Sequence, residues 1–175
     1  MLCRASITAP DLGVAIKRWC RHHRLLTDDI VLSLERRGDT ARFAIDERRK
    51  LGAFREFCLV TSLRFLHGYV CWAIDSRISL REATFPFDAP PHADAYAPMF
   101  TPEVRFGEAQ AGISFDERYL ALPLQRDERA LRTMGLPATR LARSSLARYS
   151  AIHSRLPFSR SATYSISGVT MPRRA

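Results

Sequence analysis

The residue types with most chemistry to offer are the four cysteines and five histidines of the chain. Sulfur and imidazole are the donors zinc prefers, and Cys20, His22 and His23 crowd one thiol and two rings together. No second pair stands at a matching spacing, and Arg21 and Arg24 would repel a cation, so the sequence assigns no metal. A nucleophilic pair can be drawn from Cys58 or Cys71 with His67 or His92, but no third group that would orient the imidazole is identifiable. The sequence therefore assigns no catalytic residue, no cofactor and no enzymatic activity. Trp72, Tyr96 and Phe106 are candidates for a small-molecule pocket, since such sites are mostly apolar with a few polar handles; the same three rings also read as core aromatics. Glu103, Arg105 and Glu108 read either as a polar clamp on a ligand or as the wet side of a strand.

Those residues must be positioned by elements that the hydrophobic pattern outlines. Thr8-Ala9-Pro10-Asp11 has the chemistry of a helix start, with Thr8 as N-cap. Leu12, Ala15, Ile16, Trp19, Cys20 and His23 then recur at spacings of three and four, which predicts an amphipathic helix over 11–23. Alternation over 30–35 and 41–45, around the turn residues Arg37-Gly38-Asp39, predicts a β-hairpin. Residues 52–68 are apolar over most of a helical circumference and predict a central helix, followed by strands at 71–74 and 78–80. Pro98 is expected to end a short helix by Ala97. Strands are predicted at 104–106 and 113–115, joined as a loose hairpin through 107–112. The expected class is α+β: antiparallel strands packed against the helices at 11–23 and 52–68.

Charge divides the chain in two. All 18 acidic residues lie between Asp11 and Glu128, so the segment before Gly135 is nearly neutral, while seven arginines without one acid follow it. Residues 133–175 read as a basic Ser/Arg-rich tail, either disordered or translated out of frame; Arg140, Arg143 and Arg148 are its candidates for non-specific phosphate contacts. A small basic nucleic-acid-binding protein acting through that tail is the alternative function. No secretory signal precedes the cysteines, and Arg64 interrupts the longest apolar run, which places the chain in the cytoplasm with reduced thiols and no membrane span.

One ordered set of residues resembles a known family. Pro90-Pro91, Tyr96 with Phe100, Val104-Arg105-Phe106-Gly107, Phe115-Asp116, Leu120 and Leu122-Pro123-Leu124 are similar to the pattern of the arabinose-binding-type sensor of AraC-type transcription regulators, and Pro10-Asp11-Leu12-Gly13 resembles an earlier segment of it. The resemblance covers residues 1–132. It implies a regulatory domain that takes a small-molecule effector and pairs as a homodimer or with an intact relative. It also implies that DNA is read only through a helix-turn-helix domain that this chain is expected to lack, as a truncated sensor.

Overall fold

The computed structural model describes residues 2–134. The chain opens with a short helix α1 (Leu2–Ser6), and α2 (Leu12–His23) follows. Asp11, not Thr8, caps α2: it sits in extended backbone and its carboxylate accepts from the Val14 amide at 2.7 Å. Thr8 stands too far back to reach an unpaired amide of the first turn, and its hydroxyl instead accepts from Arg18 Nη1 at 3.0 Å.

The predicted hairpin is present as β1 (Ile30–Arg37) and β2 (Thr40–Glu47), in antiparallel register from Ile30 opposite Glu47 to Arg37 opposite Thr40. Gly38 takes the left-handed φ of 60° that its tight loop demands. A single 3-10 turn (Gly52–Phe54) leads into α3 (Arg55–Ala73). This helix runs five residues beyond the predicted end and absorbs the strand expected at 71–74. Gly68 lowers helix propensity, yet Leu59, Leu63, Leu66, Tyr69, Val70 and Ala73 bury one continuous side of the helix, and that burial outweighs the glycine.

The strand β3 (Leu80–Phe85) begins two residues later than the strand expected at 78–80 and runs five residues past its expected end. A 3-10 turn (Ala93–Ala95) then passes into α4 (Tyr96–Met99), which carries Pro98 inside it. Pro98 falls in the first turn of α4, where a backbone N–H has no helical partner to lose, so the helix does not stop at Ala97. Two further strands, β4 (Val104–Phe106) and β5 (Ala111–Asp116), complete a five-stranded sheet in the order β1-β2-β5-β3-β4.

Both segments expected to form the second hairpin are strands, but they do not pair with each other. β3 lies between them, antiparallel to β5 and parallel to β4, so the sheet is mixed and not purely antiparallel. The link 107–110 crosses the end of β3, held by Gly107 N–H to the Phe87 carbonyl at 2.9 Å and Glu108 N–H to the Phe85 carbonyl at 3.1 Å. A last helix α5 (Glu128–Met134) covers residues where the tail was expected to begin; the rest of that tail lies outside the described residues.

The class is α+β as expected. One face of the sheet presents Phe43, Ile45, Phe85, Ile113 and Phe115 to the helices, all essentially inaccessible to solvent. The opposite face is polar. There the Arg42 guanidinium lies across Gly112 and donates from Nη2 to Thr84 Oγ1 at 2.7 Å.

Candidate functional site

A cleft of about 250 Å³ opens where four elements meet. α2 supplies Trp19 and His23, α3 supplies Thr61, Ser62 and Phe65, and Leu2 of α1 and Leu32 of β1 close the ends. The amphipathic repeat of α2 puts Trp19 on the buried side, 3% exposed, and His23 one turn further at the helix end. The near-uniform apolarity of α3 leaves Phe65 51% exposed, forming the open lip. The Trp19 and Phe65 rings stand 6.0 Å apart, and Tyr69 packs behind Trp19 at 4.7 Å.

The polar handles of the cleft are few. His23 lines the cleft, but its Nδ1 is closed off from solvent and has no hydrogen-bond partner among the described residues. Burial also lowers the pKa of His23, which favours the neutral ring. Thr61 donates its hydroxyl proton to the Phe57 carbonyl at 2.6 Å, leaving its oxygen to accept. The neighbouring His22 turns elsewhere, its Nδ1 2.8 Å from the Arg18 carbonyl. This is the composition of a small-ligand site: aromatic and aliphatic walls with the hydroxyl-bearing Thr61 and Ser62 among them.

A larger groove of about 610 Å³ lies between the end of β2 and the start of α3, but its character is different. Its arginines are already engaged: Arg48 with Asp46 at 3.0 Å, Arg49 with Asp29 at 3.6 Å, and Arg55 with Glu47 at 2.7 Å. Paired surface charges give a ligand little apolar surface to bury, so the smaller cleft with its apolar walls is the stronger candidate.

The aromatic pocket candidates divide between two groups. Tyr96 and Phe106 meet edge to face at 5.1 Å, in a cluster centred on Phe85 that also takes in Phe87 and Phe100. Trp72 stands with Tyr69, their centroids 6.1 Å apart, in the group that backs the cleft. Beside the first cluster, Glu56 Oε1 on the first turn of α3 receives both the Tyr96 hydroxyl and His92 Nε2, each at 2.6 Å. Arg64, further along α3, donates to the Met99 carbonyl and lies over the Phe100 ring at 5.7 Å. These contacts pin residues 92–100 to α3. Of the three residues considered as a clamp, Arg105 pairs with Glu82 at 3.1 Å, while Glu103 and Glu108 are exposed.

The structure does form one of the sulfur–imidazole pairs drawn from the sequence. Cys71 Sγ and His67 Nε2 are 3.5 Å apart, one turn apart on α3. Both are occupied with the turn that ends the helix: His67 Nε2 stands 2.9 Å from the Ile78 carbonyl, and Cys71 Sγ accepts from the Ile78 amide at 3.3 Å. Burial raises the pKa of Cys71, opposite to what a nucleophile needs, and the same cause pushes that of Cys20 up to about 12. Among the described residues no group of three His, Cys, Asp or Glu side chains could hold a metal ion, and no helix is long and apolar enough to cross a membrane. The tail arginines Arg140, Arg143 and Arg148 lie outside the described residues.

Sequence reasoning placed His23 on the apolar stripe of α2, weighed it only as a metal ligand, and gave it no role. A histidine closing an apolar stripe was the available signal. The walls that make it a site come from residues far apart in the chain.

Three comparisons with known proteins bear on this arrangement. A family model described as the N-terminal arabinose-binding domain of AraC transcription regulators matches residues 1–124. The crystal structure of the transcriptional regulator CdpR from Pseudomonas aeruginosa aligns with a TM-score of 0.59 at 19% identity, covering 89% of this chain and 54% of that one. The likeness to CdpR is one of fold, and the chain spans about half the length of that regulator. No curated protein matches the sequence.

Proposed function

The chain belongs to the family of N-terminal arabinose-binding domains of AraC transcription regulators, and from that premise we propose that it is a small-molecule sensor whose effector sits in the cleft between α2 and α3. The observation that carries this reading is the cleft of about 250 Å³ itself, walled by Leu2, Trp19, Leu32 and Phe65 with the hydroxyl-bearing Thr61 and Ser62 among them.

A sensor must also pass occupancy on, and a ligand does this only through different affinities for two states. Backbone hydrogen bonds support a route. The first amide of α2, Leu12 N–H, donates to the Leu122 carbonyl at 2.9 Å, and Gln125 N–H donates to the carbonyl of Ala73, the last residue of α3, at 2.8 Å. Both helices that wall the cleft are thus tied to residues 122–125, the end of the family match. A ligand that changes the spacing of α2 and α3 acts on that segment without an intermediary.

The test is a thermal-shift screen of charged and neutral metabolites on the full chain and on Ser62→Trp, which fills the cleft from α3. Compounds that raise the melting temperature of the native chain are expected to lose their effect on Ser62→Trp, with the circular dichroism of the variant unchanged. Hits that stabilise both proteins equally, or no hits on either, would sink the reading.

A further inference from the structure

We propose that the outward face of α2 is a contact surface for the phosphate backbone of double-stranded DNA. The proposal rests on the family match to transcription regulators and not on the cleft, so either reading stands or falls without the other.

The sequence from Leu12 to Thr27 holds Lys17, Arg18, Arg21 and Arg24 and no acid. Helix period sets where they point. Leu12, Ala15, Ile16 and Trp19 turn one side of α2 into the core, while Lys17, Arg21 and Arg24, at spacings of four and three, stand exposed on the other. Arg18 flanks them, its Nη1 donating to the Thr8 hydroxyl. None of the four takes part in an ion pair among the described residues. Most arginines elsewhere on the described surface are neutralised: Arg55 meets Glu47, Arg81 meets Asp39 and Asp116, and Arg105 meets Glu82. Uncompensated positive charge is therefore concentrated on one helix face. The helix dipole favours cations only near the last turn, which accounts for Arg21 and the cap residue Arg24 but not for Lys17.

Spacing favours a phosphate chain as the partner. Lys17 to Arg24 covers seven residues, about 10.5 Å of helix axis. One DNA strand presents a phosphate roughly every 3.4 Å along the duplex, so that length faces about three phosphates, one for each exposed cation. An anionic membrane is the other extended phosphate surface, and the exposed Leu25 and Leu26 follow the stripe. A helix held at a membrane buries its apolar face in lipid, and the apolar face of α2 is already packed into the core. Contacts of this kind carry no sequence information. They add affinity and fix orientation for a regulator whose bases are read by another domain.

The test follows, by fluorescence anisotropy, a labelled duplex of about 20 base pairs titrated with the full chain between about 20 and 150 mM potassium chloride. Lys17→Gln/Arg21→Gln/Arg24→Gln is expected to weaken binding and to flatten the slope of log affinity against log salt by about 2.7, at about 0.9 per lost phosphate contact. The charge-keeping Lys17→Arg/Arg21→Lys/Arg24→Lys should retain the native slope. The same flattening is expected when both sets are placed on Arg140→Gln/Arg143→Gln/Arg148→Gln, which removes those tail charges from the comparison. Two duplexes of unrelated sequence should bind within about twofold of each other. A slope that neutralisation leaves unchanged, a charge-keeping variant that loses as much slope as the neutral one, or a native chain that does not bind at about 20 mM salt would each overturn the proposal. So would vesicles of phosphatidylserine that bind the native chain and lose it on neutralisation while the duplex slope stays put, which would assign the face to a membrane.

Discussion

His23 and His67 are both held below their ordinary pKa of 6.5, chiefly because burial disfavours the charged ring. At His67 the positive charges of Arg64 and Arg77 act in the same direction, against the Ile78 carbonyl, which favours the protonated form. The consequence for stability has a definite sign. Between the ordinary and the lowered values the unfolded chain binds more protons than the folded one, so stability rises with pH across that window. It is fully present above about 6.5 and is lost as pH falls toward the lowered values. Urea midpoints are expected to be lower at pH 5.5 than at pH 7.5, and His67→Gln, whose amide can still reach the Ile78 carbonyl, should flatten that difference. A midpoint that rises on acidification would contradict the burial of both rings. At this scale the sequence was informative about residue type and silent about pairing. His23 could be placed on the apolar side of α2, and Cys71 with His67 could be drawn as a pair. Nothing local told that Ile78 occupies both members of that pair.

At the scale of elements, two glycines that look alike in sequence carry opposite predictions. Gly68 stands inside α3 with nothing near the position a Cβ would take. It contributes backbone freedom to the unfolded chain and no packing to the folded one. Gly68→Ala is expected to stabilise by roughly 0.5–1 kcal/mol. Gly112 lies in β5, where a Cβ would come within 2.9 Å of both Arg42 Nη2 and the Phe43 carbonyl oxygen. The guanidinium can move, but the backbone of β2 cannot without breaking its register with β5. Gly112→Ala is expected to destabilise by roughly 1–3 kcal/mol, and chemical denaturation of the two variants side by side checks both signs. The same elements show where sequence pattern stops. The hairpin of β1 and β2 was legible because its alternation and its turn are local. The position of β3 was not: its run of buried residues Ala83, Thr84 and Phe85 lacks alternation, and a shift in register between Leu80 and Glu82 breaks the period further. Without β3 in view, β4 and β5 read as neighbours.

At the scale of the whole molecule, the family was legible from an ordered set of turn and strand residues, whereas the cleft was not, because Leu2, Trp19, Leu32 and Phe65 come together only through tertiary packing of four elements. That packing also places the cleft between the two helices whose ends meet residues 122–125. α2 is held there at its first amide, and an isolated bridge pairs Asp11 with Pro123; α3 is held at its last carbonyl. A ligand that draws α2 and α3 together therefore loads two hydrogen bonds at helix ends away from where it binds, Leu12 being seven residues before Trp19 and Ala73 eight after Phe65. Amide hydrogen exchange reads those bonds directly, since Leu12 and Gln125 exchange only when they open. With the tightest binder from the cleft screen present, exchange at both amides is expected to slow in the native chain and to be unchanged in Ser62→Trp. Protection confined to the cleft walls, with Leu12 and Gln125 exchanging as before, would mean that occupancy stops at the site and that the two helix ends do not carry it.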